Sequence, residues 1–190
     1  LARESCRPFS ADLDGLALGE GAGFLLLASE ARARKMGMDC RVQVRGEGVS
    51  CDAVHITAPC RDASGLIRAL KQLPDPGTIG AINGHGTGTV YNDAMEIKAF
   101  NAVLAGVPFY SVKGAIGHCL GAAGVIEAAI SVKSLAQGLN PPTVGTSLPA
   151  AGGENLVVRA GPLDAPAVIS CNSGFGGINA AILLVRENNG

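Results

Sequence analysis

Apolar residues in this chain recur at strand spacing in some stretches and at helix spacing in others, and the two kinds alternate. Residues 42–49, VQVRGEGV, alternate with period two and predict a strand with one buried face. Residues 64–73 place Leu66, Ile67, Leu70 and Leu73 on one helical face, with Pro74 and Pro76 ending the helix. Residues 79–83 read as a short buried strand, and DAMEIKAFNAVL, starting at Asp93, as a helix with acid in its first turn. Residues 109–112 suit a second short strand. From about Leu120 the pattern is helical and apolar almost all round, through Ala122, Val125, Ile126, Ile130 and Leu135, until Gly138, Pro141 and Pro142 stop it. A strand is expected at residues 156–159. AVISC and AAILLV then predict an antiparallel hairpin joined by NSGFGGIN. Upstream, residues 1–20 look irregular and residues 21–27 read as a short apolar strand. Ser29 caps a charged helix that Gly37 closes. The sum is an α/β domain of βαβαβαββ type over residues 1–190, a mixed sheet covered by helices.

Composition narrows the function classes. A net charge of −1 gives no electrostatic case for nucleic acid or an anionic membrane. No apolar run reaches the roughly 20 residues of a membrane span, and the first residues do not resemble a signal peptide. Cys6, Cys40, Cys51, Cys60, Cys119 and Cys171 form no CxxC pair and read as small buried residues in a reducing cytoplasm.

Candidate chemistry gathers in three glycine-rich turns that follow apolar strands, at 84–88, 114–117 and 174–177. In open α/β sheets such turns collect at one site. His85 lies in the first turn, and Lys113 and His118 flank the second. A single histidine there is usually structural; two histidines with a lysine suit the stabilisation of a developing oxyanion. Glu127, inside the apolar helix, needs a partner, with Lys113 or a backbone amide the natural candidate. A metal site finds no common ligand spacing, either around His85 and His118 or around Cys51, His55 and Cys60. GFGGIN is too short for a dinucleotide fingerprint, and Ser173 lacks G-x-S-x-G spacing.

HGTGT at 85–89 followed by Asp93 and Glu96, VKGAIGHCLGAAG at 112–124 and NSGFGGIN at 172–179 resemble the β-ketoacyl synthases of the thiolase superfamily. CRPFSADLDGLALGEGAG at 6–23 and DAVHITAP at 52–59 do so too, in the family's order. The resemblance implies a thiolase-like fold and an acyltransferase of the elongation type in fatty acid or polyketide synthesis. It implies that His85 and His118 act in malonyl decarboxylation and condensation, with Lys113 and Glu127 beside them. Thr87 and Thr89 would bond the pantetheine arm, and Thr57 and His55 would flank the entrance. Ser173, Gly174, Phe175, Gly176 and Gly177 would form the gate loop over the acyl pocket. No cofactor is expected beyond the phosphopantetheine that the substrate carries.

The family commonly reads N-S-F-G-F-G-G; here the first phenylalanine is missing between Ser173 and Gly174, and Leu13 stands where an arginine is common. The match covers only a C-terminal ketosynthase half. The nucleophilic cysteine is therefore expected on an N-terminal half, as a partner together with acyl carrier protein in a homo- or heterodimer. The alternatives are a non-catalytic partner of chain-length-factor type and a thiolase-type enzyme acting on coenzyme A esters.

Overall fold

A computed structural model describes residues 1–38, 41–75 and 77–187, so Cys40 and Pro76 lie outside the described residues. The elements are α1 (Glu30–Lys35), β1 (Val42–Cys51), α2 (Ser64–Leu70), β2 (Ile79–Asn83), α3 (Val90–Val103), β3 (Phe109–Tyr110) and α4 (Lys113–Ile116). A 3₁₀ turn (Leu120–Ala122) leads into α5 (Ala123–Gln137). Then come β4 (Leu139–Asn140), β5 (Gly161–Pro162), β6 (Ala167–Gly174) and β7 (Ile178–Arg186). A five-stranded sheet runs in the order β1-β7-β6-β2-β3, and β4 pairs with β5 in a separate ribbon. The expected alternation of strands and helices into a closing hairpin is what the chain adopts.

Strands β2, β3 and β6 are mutually parallel, whereas β7 is antiparallel to both β6 and β1. The C-terminal ends of β1, β2, β3 and β6 therefore all open on one edge of the sheet. Helices α2 and α3 enclose one face, where Leu66, Leu70, Ile97 and Phe100 pack with Ile82, Ile169 and Leu183. Leu135 of α5 packs the other face with Ala81, Tyr110, Val168 and Leu184. Burying a side chain such as Phe100 or Leu135 contributes about 1.5–3 kcal/mol.

Local signals explain the helix ends. Ser29 caps α1 through its side chain, accepting from Arg32 N–H, and Gly37 follows at φ 64°. Gly138 closes α5 in the left-handed conformation. Helix α3 begins at Val90, three residues before the acid expected to start it, and α2 ends at Leu70 rather than at Leu73.

Three expectations are corrected. Residues 21–27 form no strand, because no described strand lies beside them to complete a ladder. Their Phe24, Leu26 and Leu27 are exposed by 92, 76 and 75%. Residues 156–159 form only a bridge: β3 is two residues long, so Phe109 accepts from Val157 N–H and donates to Asn155, and pairing stops there. The period-two pattern of β1 is interrupted by a bulge between Val44 and Gly46, which leaves Val44 and Arg45 both exposed.

The free edge of β1 is capped by a side chain. Gln72, just beyond α2, donates from Nε2 to Val49 O at 2.9 Å, and its Oε1 accepts Val49 N–H at 3.3 Å. Residues 1–20 are irregular, as their sequence indicates. Phe9 anchors them, at φ 57°, against Phe109 and Phe100 with ring centroids 5.1 and 6.5 Å away.

Candidate active site

The turn after β2 is held by two acids on the first turns of α3. His85 N–H donates to Glu96 Oε1 at 2.6 Å and Gly86 N–H to Glu96 Oε2 at 2.7 Å. Asp93 Oδ1 accepts Thr87 N–H at 3.0 Å and Thr89 N–H at 3.4 Å, and Oδ2 accepts Gly88 N–H at 3.0 Å and Phe9 N–H at 2.7 Å. Every backbone N–H of residues 85–89 thus ends on one of two buried carboxylates. Burial raises the pKa of both acids, and for Glu96 the charge of Asp93 adds to it, while the N–H donors oppose the shift. Gly86, at φ 40°, admits no side chain here, since a Cβ would lie 2.5 Å from Ser111 Cβ.

The turn after β3 supplies Lys113 at the start of α4. Its ammonium has three hydrogens and finds three acceptors: His85 Nδ1 at 3.1 Å, His85 O at 2.5 Å and Glu127 Oε1 of α5. Both members of the Lys113–Glu127 pair are 1% exposed. The pair lies behind His85, so Lys113 acts on the cleft through the imidazole. Burial pushes the Glu127 carboxyl up, and Lys113 pulls it back down.

His118 follows Gly117, whose φ of 70° sets it against the N-terminal segment: His118 N–H donates to Ala17 O at 2.8 Å, and His118 O accepts Gly19 N–H at 3.1 Å. Its Nδ1 accepts Leu120 N–H at 3.1 Å, which leaves the ring proton on Nε2. With the Lys113 ammonium donating to Nδ1 of His85, that ring also keeps its proton on Nε2. The two rings meet edge to face, centroids 5.1 Å apart and planes at 83°. Burial, then the Lys113 charge, holds His118 down to about 4, and the same causes with His118 itself hold His85 well below its ordinary value. Both imidazoles are therefore neutral hydrogen-bond donors at pH 7.

They line a cleft of about 1300 Å³ at the sheet edge where the strands end. Thr87 and Thr89 line it too, their hydroxyls 2.8 Å apart. Thr57, Ser173, Gly174, Phe175 and Gly177 share the wall, and Asn172 joins them. Two expected neighbours do other work. His55 spends Nδ1 on the N–H groups of Thr57 and Ala58, and Gly176 donates to Ile56 O at 2.7 Å, tying the turn to the loop after β1. The gate turn is only residues 175–177 between β6 and β7, and Phe175 stands 78% exposed at its tip.

Sequence reasoning placed Asp93 in the first turn of its helix and quoted it with Glu96 beside HGTGT, but gave neither acid, nor Asn172, a role in holding the site. An acid at the start of a helix just after a glycine turn is the signal that marks the first two; Asn172 shows its place beside His85 and Glu127 only in three dimensions. Cys119, just before the 3₁₀ turn, is buried with Cys6 and Cys171 as expected of the cysteines, whereas Cys51 at the end of β1 is exposed and Cys60 half-buried because both lie at the loop after the edge strand. No helix among the described residues is long and apolar enough to cross a membrane.

Comparison with known proteins agrees with this arrangement. The family described as "Beta-ketoacyl synthase, C-terminal domain" matches residues 42–147. The 3-oxoacyl-[acyl-carrier-protein] synthase 2 of Vibrio cholerae is 38% identical across 97% of this chain and 48% of its own length. The mitochondrial 3-oxoacyl-[acyl-carrier-protein] synthase of Arabidopsis thaliana is 34% identical across 95% of this chain and 42% of its own length. Among solved structures, the ishigamide ketosynthase/chain length factor superposes with a TM-score of 0.93 at 34% identity, covering 99% of this chain and 48% of that one. A type II PKS ketosynthase in complex with its acyl-carrier protein gives 0.90 at 28%, covering 97 and 48%. The chain spans about half the length of these relatives. On the family match and the identity to full-length synthases, the chain belongs to the β-ketoacyl synthase family and carries its C-terminal domain, in a thiolase-like fold.

Proposed function

We propose that the chain is the C-terminal half of a decarboxylating β-ketoacyl-ACP synthase. The observation that carries this reading is the pair of imidazoles meeting edge to face at the mouth of the parallel strands, each with Nδ1 engaged and backed by the Lys113–Glu127 pair. In the reaction, a primer acyl group is held as a thioester on a cysteine of the N-terminal half. The malonyl thioester loses carbon dioxide as its carboxyl C–C bond breaks, and the electron pair becomes an enolate. The Nε2–H groups of His85 and His118 hold the enolate oxygen. The α-carbon attacks the primer carbonyl, a C–C bond forms, the C–S bond breaks and the cysteine leaves as thiolate.

Thr87 and Thr89 bond the pantetheine arm, and Thr57, Ser173 and the residues from Gly174 to Gly177 border the acyl group. The cofactor requirement ends with the phosphopantetheine carried by the substrate. Acyl carrier protein delivers that substrate, and the working form is a homo- or heterodimer acting in the cytoplasm. The exposed apolar run at Phe24, Leu26 and Leu27 supports the presence of a second half that covers it.

The three-residue turn at 175–177 favours a second reading, a non-catalytic partner of chain-length-factor type. His85→Ala in the complete protein separates the two. Loss of at least about 100-fold in condensation, the scale for removing a transition-state donor, fits the enzyme. Unchanged condensation by the complex fits the partner.

A further inference from the structure

A polar track leaves the two imidazoles along the turn after β2. His85 is followed by the paired hydroxyls of Thr87 and Thr89, and then by Tyr91 on the first turn of α3. Tyr91 is half exposed and lines the cleft. Over its ring, 4.2 Å from the centroid, lies the guanidinium carbon of Arg61, from the loop before α2. Stacking on a ring face fixes a guanidinium while leaving the N–H groups around its rim free to bond. Among the described residues no carboxylate pairs with Arg61. The adjacent Asp62 is occupied by Ser64 N–H at 2.8 Å and Cys60 Sγ at 3.0 Å. The remaining rim is apolar at Leu13, Leu16, Leu18, Val90 and Leu120, and its acids, Asp14 and Asp52, accept from Arg3 N–H and from Asn179 and Cys60. Hydrogen-bonding groups that lead from a reaction centre to a fixed, unpaired cation suit a ligand with a polar arm ending in an anion.

Resting on the ketosynthase reading, we infer that Arg61, held by Tyr91, is the anion anchor of the cleft and takes the phosphate at the far end of the phosphopantetheine arm. The planar fork of N–H donors pairs two at a time with phosphate or carboxylate oxygens, and the phosphopantetheine arm of the ketosynthase reading makes the anion a phosphate.

The test measures binding to the complete protein that carries this chain, with acetyl-phosphopantetheine and acetyl-pantetheine as probes. The parent should bind the phosphorylated probe about tenfold or more tightly, the scale of hydrogen bonds to a charged group. Arg61→Ala should abolish that preference and leave the unphosphorylated probe unaffected; Arg61→Lys should restore part of it. Both substitutions are at an exposed position, and equal binding of the unphosphorylated probe confirms an intact cleft. A preference that survives Arg61→Ala, or no preference in the parent, overturns the assignment. So does a loss confined to whole carrier protein, which would place the anion on the carrier's surface. Failure of the parent to bind either probe instead removes the ketosynthase reading on which the assignment rests.

Discussion

Glu96 Oε1 accepts the backbone N–H of His85 at 2.6 Å, so the acid steers the imidazole through its main chain and leaves the ring free. Its other oxygen takes Gly86 N–H and Asn92 Nδ2. Glu96→Gln keeps one acceptor oxygen and turns an NH₂ toward a backbone N–H. We expect a loss of about 1–3 kcal/mol in stability, the cost of leaving a buried donor unmet. Turnover should fall with little change in KM. Denaturant titration and steady-state kinetics on the complete protein check this, and a variant with parental stability and turnover would sink it.

The histidines predict an acid limb. His118 is held down to about 4 by burial and by Lys113, against about 6.5 when unfolded, so between those values the unfolded chain binds more protons. Stability should rise as pH climbs from about 4 to 6.5 and be lost as pH falls through that window. His85 is shifted the same way. Denaturation midpoints across this range give the slope, and imidazole NMR shifts at pH 6 should show both rings neutral. A His118 resonance titrating near pH 6.5 in the folded protein would contradict the geometry.

The short gate turn predicts permissive primer choice. Phe175 is exposed at the tip, and the phenylalanine common in the family between Ser173 and Gly174 is missing. Short and long acyl primers in competition should be used at similar rates, and restoring a phenylalanine at that point should favour short ones. Sharp discrimination by the complete parent protein would count against this.

In residues 1–190 alone, none of the three cysteines buried among the described residues should take up an acyl group. Cys6 and Cys171 are buried with their thiols pushed up by burial, and Cys119 is buried before the 3₁₀ turn. A protonated buried thiol is a poor nucleophile. Mass spectrometry after incubation with an acyl thioester should find these three unmodified, and sedimentation should find species larger than a monomer. A monomer acylated on Cys119 or Cys171 would defeat the prediction.

The convergence of His85 and His118 was legible in the sequence, because His85 sits just past one short apolar strand and His118 in the glycine turn that follows another, and parallel strands deliver their ends to one edge. The C-terminal hairpin and the stop at Gly138 were legible for equally local reasons. What was hidden depends on distance along the chain. Whether residues 21–27 form a strand depends on a neighbouring strand, which an apolar run cannot report. The N-terminal segment reaches His118 by backbone bonds from Ala17 and Gly19, contacts about a hundred residues apart. Lys113 was expected in the cleft; its three acceptors, set by the fold, place it behind the imidazole instead.

The amide of Gln72 on Val49 bears on how this domain meets other chains. An open strand edge is an invitation to any extended peptide, and here a carboxamide already fills both backbone positions at Val49. Arg68 nearby occupies the carbonyl of Cys51. Growth of the sheet past β1 would first have to evict these side chains. The apolar run at Phe24, Leu26 and Leu27, by contrast, stands uncovered.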